Sequence, residues 1–589
     1  MKQFQIAYID KDTFQEELIA LKKQCEKEQK DHLFFQVYSS ILEEEPIAAL
    51  CKVLEEVFPD ALYMGCSTSG NIVDCQVAAD ITVVCTIFEK EDTQIKILQY
   101  DANVLSMEEI TREVVEKTKQ EPWVKAVELF CTVPENSTMQ FCVGLKDLRP
   151  EIQIFGGISC SRDITSSDSM VFSKDGGYAT RAVVLILYGG THFYVEAFKM
   201  TGWKPLGRKF HVTKSEGRIL RELDGIPAYE VYRKYLKIRN DDNFFYHTLE
   251  FPMFYEHNGT TILRVPVASN PDNSITMSSD IEENSIVRIS YGDPATIIES
   301  IKAERERLQD FQPDLLHIFS CAARRTFWTS EDPTYELYPL KEIAPSSGFF
   351  SHGEFLRTKG NLNQHNVTLV IAAMREGDKD AGYRRNSVQE RRLSKVPLVS
   401  RFANFISATS LELEEMNQQL AEMNEQLKRT SITDGLTGLY NRKEIQSRIR
   451  EALNRIQEEP FAIVMMDIDN FKQVNDTYGH QEGDNVIIAL AKILQNSDVL
   501  KASSFSAGRW GGEEFMLLLP DCDIHQAGEV AERIRECFAN TTFQQAHTMT
   551  VSLGVSQAGG DDTLDALLVR VDEALYHAKQ TGKNKVVVS

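Results

Sequence analysis

Two uninterrupted apolar runs stand out in the C-terminal part of the chain. The first is Phe461-Ala462-Ile463-Val464-Met465-Met466, and the second is Met516-Leu517-Leu518-Leu519. A short run without polar alternation is typical of a strand that is buried on both faces. We therefore predict two core strands here, each meeting acidic residues at one end.

Those acidic residues predict a metal site. Asp467-Ile468-Asp469 follows the first run, and Gly511-Gly512-Glu513-Glu514 precedes the second. Paired glycines tolerate positive φ, so they predict a hairpin turn with two carboxylates at its tip. Carboxylates are costly to desolvate unless a positive charge meets them, and an all-oxygen cluster suits Mg²⁺ together with substrate phosphates. The alternative is an acidic loop that faces water.

Residues 1 to 375 show a different pattern, with apolar runs that end in glycine or other small residues at 62–70, 152–157 and 181–190. Each run predicts a strand followed by a turn, which makes this part of the chain mixed α/β. Glycines at strand ends let backbone N–H groups approach a small ligand, or they simply make tight turns. Both interpretations remain open at this point.

A third pattern has helical spacing. Apolar residues recur three and four positions apart at Leu413, Met416, Leu420, Met423 and Leu427, and Phe402 and Ile406 extend the stripe upstream. This a/d seam predicts a parallel two-stranded coiled coil over 402–430, and hence a homodimer. The alternative is one amphipathic helix packed on its own domain. The polar, basic segment before it, 377–401, is predicted to be a linker.

Composition narrows the class of protein. The 589 residues contain 42% hydrophobic residues, which is ample for several packed domains. No apolar run approaches the roughly 18 residues of a membrane helix, and the eleven cysteines lack metal-like spacing. The net charge of −23 argues against binding to nucleic acid or to an anionic membrane. We expect a cytoplasmic protein without membrane insertion.

The C-terminal motifs together resemble the GGDEF domain of diguanylate cyclases. The resemblance covers about 431–589 and rests on six motifs in order: Asp434-Gly435-Leu436-Thr437-Gly438-Leu439-Tyr440-Asn441-Arg442, Asp467-Ile468-Asp469-Asn470-Phe471-Lys472, Asn475-Asp476-Thr477-Tyr478-Gly479-His480 with Gly483-Asp484, Gly511-Gly512-Glu513-Glu514-Phe515, Ser552-Leu553-Gly554-Val555, and Ala574-Leu575-Tyr576-His577-Ala578-Lys579. It implies a ferredoxin-like, polymerase-palm fold that condenses two GTP into cyclic di-GMP. The alternative function is a non-catalytic receptor for GTP or cyclic di-GMP.

The resemblance also implies a role for each site residue. Asp467, Glu513 and Glu514 would hold Mg²⁺, or alternatively Mn²⁺, with the backbone carbonyl of Ile468. Glu513 would take the proton of the attacking hydroxyl, although deprotonation assisted by metal alone stays open. The remaining predicted residues bind GTP, with Asn475 and Asp484 at the guanine: Asn475, Asp484, Phe471, Lys472, His480, Lys579 and Lys583. Lys579 and Lys583 are four apart and are predicted to share a helix face.

The N-terminal part resembles a FIST sensory domain, in an N-terminal half at 28–225 and a C-terminal half at 226–376. The matching segments include Gly202-Trp203-Lys204-Pro205-Leu206-Gly207 and Gly348-Phe349-Phe350-Ser351-His352-Gly353-Glu354. The resemblance implies a small-molecule ligand that controls the cyclase. Cys66 and Cys321 have no His or Asp at a telling spacing, so we expect buried packing cysteines.

One feature of many such cyclases is missing. An Arg-x-x-Asp inhibitory site usually ends five residues before the glycine pair, and here those positions are Ala502-Ser503-Ser504-Phe505. We therefore expect no product inhibition through that site.

Overall fold

The computed structural model describes residues 1–133, 138–257, 259–328, 332–380, 382–383, 398–457, 459–500 and 504–589. The chain divides into two compact units, Met1–Leu411 and Glu412–Ser589. Both units mix helices and sheets, as the sequence predicts.

The strands of the N-terminal unit are β1 (Lys2–Ala7), β2 (Leu33–Ser39), β3 (Leu62–Ser67), β4 (Asn71–Val73), β5 (Gln76–Val77), β6 (Ile81–Ile87), β7 (Gln94–Asp101), β8 (Val124–Cys131), β9 (Gln153–Ile158), β10 (Val171–Ser173), β11 (Gly177–Ala179), β12 (Ala182–Gly189), β13 (Phe193–Met200), β14 (Trp203–Glu216), β15 (Ile219–Leu223), β16 (Ile226–Pro227), β17 (Met253–His257), β18 (Thr260–Arg264), β19 (Pro266–Ser269), β20 (Ile275–Met277), β21 (Ile286–Gly292), β22 (Leu315–Cys321), β23 (Ser346–Ser351), β24 (Glu354–Thr358), β25 (Asn361–His365) and β26 (Leu369–Glu376). Its α-helices are α1 (Lys11–Glu28), α2 (Glu44–Val57), α3 (Met107–Lys119), α4 (Met139–Gly144), α5 (Ala228–Leu236), α6 (Phe244–Thr248), α7 (Pro294–Phe311) and α8 (Ala322–Phe327). The three predicted strands at 62–70, 152–157 and 181–190 correspond to β3, β9 and β12, so those predictions are confirmed.

Three six-stranded sheets and one eight-stranded sheet make up the described part of this unit. Each six-stranded sheet contains the same arrangement: a parallel strand pair with an antiparallel third strand beside it. The three sets are β2, β3 and β6, then β8, β9 and β12, then β22, β23 and β26. The unit is therefore built around a threefold repetition that the sequence does not reveal by matching letters.

The three sheets share one aromatic core. Tyr38, Phe130 and Phe319 occupy equivalent positions on β2, β8 and β22, and all three rings lie within 6.0 Å of the Phe349 ring on β23, centroid to centroid. Burial of such rings contributes strongly to stability. The core thus locks the repeats together.

The C-terminal unit contains a five-stranded sheet in the order β28-β29-β27-β32-β33 and a small two-stranded sheet. Its strands are β27 (Phe461–Ile468), β28 (Ser506–Gly511), β29 (Glu514–Pro520), β30 (Thr542–Phe543), β31 (His547–Thr548), β32 (Val551–Gln557) and β33 (Val586–Val588). The helices that follow the long α9 (Leu398–Ile432) are α10 (Arg442–Leu453), α11 (Phe471–Tyr478), α12 (His480–Gln495), α13 (Ser497–Leu500), α14 (Ile524–Ala539) and α15 (Leu564–Gln580).

The central strand β27 is buried along its whole length, as its apolar run predicts. Its alternate residues face opposite sides, because side-chain direction in a strand has a period of two. Ala462, Val464 and Met466 pack with α12 and α14, whereas Ile463 and Met465 pack with α10 and α15. This double cover holds the end of β27, where the acidic residues lie.

The helix predicted at 402–430 is α9, which begins earlier, at Leu398, and continues to Ile432. The segment 377–401, predicted to be a linker, therefore overlaps the start of α9 at residues 398–401. Residues 384–397 of that segment, which include Arg384-Arg385 and Arg391-Arg392, lie outside the described residues. No helix in the described part of the chain is both long and apolar enough to span a bilayer.

Candidate active site

The end of β27 and the β28–β29 turn bring the acidic residues together. Asp467 is the direct cross-strand partner of Glu514. The backbone N–H of Ile468 donates to the carbonyl oxygen of Glu513 at 3.4 Å, which places the turn against the end of β27. Two residue groups about 45 positions apart in sequence thus form one edge of the sheet, as predicted.

The turn itself is held by a guanidinium. Gly512 has φ of +48°, a conformation that glycine adopts without strain, and Gly511 pairs with Glu514 across the hairpin. Arg509 donates from Nε to the carbonyl oxygen of Gly512 at 2.9 Å, and its Nη1 lies 3.3 Å from Asp434. Arg509 is therefore a positioning residue that links the turn to Asp434.

The site concentrates negative charge. Burial is the main cause that raises the pKa of the Asp467 carboxyl, and neighbouring Glu513 and Asp469 raise it further. Burial also raises the pKa of Glu514, with Asp467 as the next cause. Like charges directly opposite each other across a strand pair repel, so the edge favours a bound cation.

Two lysines reach this edge from the C-terminal end of the chain. Nζ of Lys579 lies 2.7 Å from Oδ2 of Asp467, and Nζ of Lys583 donates to Oδ1 of Asn470 at 2.6 Å. The prediction that both share a helix face is wrong, because α15 ends at Gln580 and Lys583 follows in a left-handed turn with φ of +62°. Both ammonium groups nevertheless lie at the same end of the sheet.

Asp469 has a structural role that the sequence motif alone did not reveal. Its carboxylate accepts from Thr550 at 2.8 Å, from Ser552 at 2.7 Å and from the backbone N–H of Asn584 at 3.0 Å. A buried carboxylate with three donors is satisfied and needs no metal. Asp469 therefore ties β27 to β32 and to the Lys583 turn, and only its place in the Asp-x-Asp motif hinted at importance.

The predicted guanine-binding residues lie on α11 and α12. Asn475 lies against Gly483, where a Cβ would collide with its Oδ1, and Asp484 is the next residue. Phe471 is buried and packs in the core beneath this pair, so its ring is not available to a ligand. Lys472 and His480 are exposed at the starts of α11 and α12.

The donor set fits a divalent cation that brings further ligands with it. Among the described residues, no group of three or more His, Cys, Asp and Glu side chains is arranged to hold a metal by itself. Mg²⁺ is usually held by one or two carboxylates and by substrate phosphates, not by a closed protein cage. The buried Asp467 and the half-buried Glu514, both with raised pKa values, match that kind of site.

The N-terminal candidates are explained by packing. Cys66 and Cys321 are buried, and burial raises the pKa of both thiols, which confirms the prediction of packing cysteines. All eleven cysteines are free thiols. Gly156 and Gly348 have φ of +152° and +155°, and a Cβ on either would collide with a backbone carbonyl of the adjacent strand. These two glycines are therefore required by the close approach of the adjacent strand in the sheet.

Family models match three parts of the chain. The model described as "Diguanylate cyclase, GGDEF domain" matches residues 431–585. The model described as "FIST N domain" matches residues 33–226, and the "FIST C domain" model matches residues 228–357. The two FIST ranges lie in the N-terminal unit, and the GGDEF range lies in the C-terminal unit.

The similar proteins match only part of the chain. The diguanylate cyclase DgcM of Escherichia coli (strain K12) is 37% identical over 169 residues, which are 28% of this chain and 40% of DgcM. The diguanylate cyclase VdcA of Vibrio cholerae is 32% identical over 233 residues, which are 38% and 62% of the two chains. The response regulator PleD of Caulobacter vibrioides is 39% identical over 165 residues, which are 27% and 36%.

The chain spans less than two thirds of the length of each of these three relatives. The match is therefore one of domains. Residues 431–585 are a GGDEF domain, and residues 33–226 and 228–357 are the N and C domains of a FIST module.

Proposed function

We propose that the protein is a diguanylate cyclase that condenses two GTP into cyclic di-GMP and two pyrophosphates. The observation that carries the proposal is the convergence of Asp467, Glu513 and Glu514 at one sheet edge of a GGDEF domain, with Lys579 beside them. A non-catalytic module has no need to maintain mutually repelling carboxylates. The named activity of DgcM and VdcA supports the same reaction.

Substrate selection falls to the α11–α12 pair. The Asp484 carboxylate accepts hydrogen bonds from N1–H and from the exocyclic amine of guanine, and the Asn475 amide adds a further contact. Adenine lacks that pair of donors, and an unpaired acceptor is costly, so the site selects GTP over ATP. The backbone N–H groups at Phe471 and Lys472 and the ammonium groups of Lys472, Lys579 and Lys583 meet the phosphates, and His480 lies at the rim.

Asp467, Glu513 and Glu514, with the carbonyl oxygen of Ile468, would hold Mg²⁺ or Mn²⁺. The ion supplies charge neutralisation of the phosphates and activation of the attacking oxygen. The ammonium of Lys579 leaves Asp467 for the incoming phosphate as the nucleotide is bound.

In the chemical step the 3′-oxygen of one GTP bonds to the α-phosphorus of the other. The bond between that α-phosphorus and the oxygen that bridges it to the β-phosphate breaks. Pyrophosphate leaves with the electron pair of that bond. Glu513 accepts the proton of the 3′-hydroxyl, since its carboxylate lies at the tip of the turn. Repetition of the step in the opposite sense closes the ring.

The reaction needs two nucleotides that face each other, so each active site is completed by a second copy of the chain. The apolar a/d residues of α9 are exposed, and their exposed fractions range from 54% to 60% at Leu413, Met416, Leu420, Met423 and Leu427. Thr409 occupies the seam position between Ile406 and Leu413. Such a stripe supports a parallel coiled coil, and it disfavours the alternative of a helix packed on its own domain.

We further propose that the FIST module controls the enzyme. A ligand that prefers one of two arrangements of the coiled coil shifts the population of dimers in which the two GGDEF domains face each other.

The direct test of the cyclase is turnover of GTP with MgCl₂ by the full chain, with nucleotides separated by chromatography. We expect cyclic di-GMP from GTP, no cyclic product from ATP, and no product from Glu513→Ala. If the wild-type chain binds GTP but makes no product, with or without the FIST module, the receptor alternative is correct. Product from 396–589 alone would instead identify a full chain held in an inactive state.

The dimer is tested by Leu420→Lys, which puts a charge at a central seam position. We expect a monomer by sedimentation and at least a tenfold loss of turnover at low protein concentration, since an unpaired charge in a seam destabilises the pairing. Gln418→Lys, on the polar face of the same helix, is the matched control. A Leu420→Lys dimer with unchanged turnover would contradict the assignment.

A further inference from the structure

A cavity of about 450 Å³ lies within the N-terminal unit. It opens where β9, β22 and β23 end, at Ile158, Cys321 and Ser351, and residues of both FIST domains line it. Ligands of α/β proteins often bind beyond the carboxyl ends of parallel strands, and this volume suits a small organic molecule. The place in the fold therefore favours a ligand site.

Part of the cavity lining is apolar. Phe245, Leu249, Val265 and Val267 line it from α6 and from the β18–β19 segment, and Ile158 and Ile164 add to this apolar surface. A surface of this kind gains free energy by covering a hydrocarbon group, and it offers little to a fully hydrated ion. The ligand therefore carries an apolar part.

Another part of the lining presents hydrogen-bond donors. Arg218, in the β14–β15 turn, donates from Nε to the carbonyl oxygen of Met277 at 3.0 Å, and its terminal nitrogens have no hydrogen-bond partner within the described part of the chain. The Gln364 side chain is oriented by Thr138 and by Ser279, whose hydroxyl groups donate to its Oε1. Its amide nitrogen, also without a partner among the described residues, is thus the group left for a ligand.

The charge of the lining is positive. No Asp or Glu occurs among the described lining residues, whereas Arg218 and, at the exposed rim, Arg181 do. His352 donates from Nε2 to the carbonyl oxygen of Ile164 at 2.8 Å, and burial lowers its pKa, which favours the uncharged imidazole. Burial lowers the pKa of Arg218 as well, and nearby Asp280, outside this lining, offsets part of that effect. An anion would restore a favourable environment for the guanidinium.

We propose that this cavity binds a small organic carboxylate with an apolar tail, and that Arg218 is its charge partner. The inference deepens the sensory role proposed above and rests on it for its biological meaning. A free amino acid is disfavoured, because no carboxylate among the described lining residues is present to meet its ammonium group. Inorganic phosphate is disfavoured by the apolar part of the lining.

The test is calorimetric titration of the full chain, without nucleotide, with a panel of carboxylates: acetate, butanoate, hexanoate, octanoate, phenylacetate and 3-phenylpropanoate. Each acid is compared with its primary amide, and phenylalanine, leucine and inorganic phosphate complete the set. We expect binding that strengthens with apolar size until the cavity is filled, and at least a tenfold weaker affinity for the matching amide.

Variants locate the site. Arg218→Met should weaken binding of the best acid about tenfold to a hundredfold and leave the amide unchanged, while Arg218→Lys retains most of the affinity. Arg221→Met is the matched control, since Arg221 lies on β15, pairs with Asp272 and Glu216 and does not line the cavity. The unfolding midpoint of each variant shows whether it is folded.

The proposal is overturned if no acid of the panel binds, if the amide binds as tightly as the acid, if phenylalanine or leucine binds more tightly, or if folded Arg218→Met binds like the wild type. These measurements need no GTP turnover. A failure of the cyclase proposal would leave them unaffected, and the two failures are therefore distinguishable.

Discussion

The two units of this chain place acidic residues in contrasting environments. In the N-terminal unit, Glu128 is fully buried and accepts hydrogen bonds from Tyr188 at 2.6 Å and from Gln36 at 3.2 Å, with Nδ1 of His317 at 2.9 Å. In the C-terminal unit, Asp467, Glu513 and Glu514 converge at one sheet edge, where Asp467 is buried and the two Glu residues are half-buried. Nζ of Lys579 lies 2.7 Å from Oδ2 of Asp467, the shortest contact that a described cation makes with this group.

The contrast separates structural polar groups from chemical ones. Buried carboxylates that are closed by their own donors stabilise one arrangement of the fold. Carboxylates that repel each other lower stability and are retained where a metal and a substrate complete the set. A motif search finds the second kind, whereas contacts are needed to recognise the first.

The largest expected effect on stability is at a buried ion pair of the N-terminal unit. Arg324 is completely buried, and its guanidinium donates to Glu336 at 2.5 and 3.0 Å and to two backbone carbonyls. Arg324→Leu leaves the Glu336 charge buried without its partner, and we expect a loss of about 3–5 kcal/mol in the free energy of unfolding.

Urea unfolding of the full chain, followed by circular dichroism, measures that loss. Arg307→Leu is the control, because Arg307 and its partner Glu196 are both exposed and such a pair contributes less than about 1 kcal/mol. Equal losses of unfolding free energy from the two substitutions would contradict the distinction between buried and surface ion pairs.

Glycines sharpen the same comparison with a smaller effect. Gly483→Ala makes the new methyl group displace the Asn475 side chain, so we expect KM for GTP to rise about tenfold with little change in stability. Gly156→Ala collides with the backbone of β8 and should cost more than about 2 kcal/mol of stability. Steady-state kinetics and thermal unfolding measure the two quantities.

Gly528→Ala, in the middle of α14 with only ordinary contacts around its added methyl group, is the control. It should leave KM unchanged and stabilise the helix by roughly 0.5–1 kcal/mol. A Gly483→Ala enzyme with normal KM would mean that Asn475 does not contact the base.

The smallest expected effect is the pH dependence of a surface pair. Hydrogen bonding from Arg570 holds the pKa of Asp562 below its ordinary value, and Nη2 of Arg570 lies 2.5 Å from Oδ2 of Asp562. A lowered pKa in the folded state means that the stabilisation is complete above the unfolded-state pKa of about 3.9 and is lost as the pH falls through the folded-state pKa.

We therefore expect Asp562→Asn to lower the stability of residues 412–589 by about 1 kcal/mol at pH 7, with the difference shrinking below about pH 4. Chemical unfolding at several pH values measures it. A difference that grows towards acid would have the wrong sign for an ionised Asp562.

Much of the C-terminal site was predictable because its chemistry is local in sequence. The run that ends in Asp467 and the glycine turn before Glu514 each identify a strand end, and their pairing places both at one edge. The contacts of Lys579 and Lys583 were not predictable, because they join residues more than 100 positions apart and depend on where α15 ends. The hydrogen bonds that Asp469 accepts from Thr550, Ser552 and Asn584 were not predictable either, because they also join residues far apart in the sequence.

The N-terminal unit shows the limit of pattern reading. Gln36, Glu128 and His317 each precede the residue that pairs with Gly65, Gly156 and Gly348, respectively, so the three are equivalent positions of the repeats. They are three different residue types, so no sequence repeat announces that they meet in the core. The cavity beside Arg218 is assembled from segments of both FIST domains, and no single stretch contains its chemistry.

The most direct test of the account is to measure cyclic di-GMP production and the unfolding midpoint on the same preparations of the wild type and Glu513→Gln. We expect turnover to fall about 100- to 10,000-fold, while the midpoint in metal-free buffer stays equal or rises, because one of three repelling carboxylates is neutralised. Wild-type turnover, or a midpoint that falls as it should for Arg324→Leu, would contradict the claim that this acidic edge exists for chemistry.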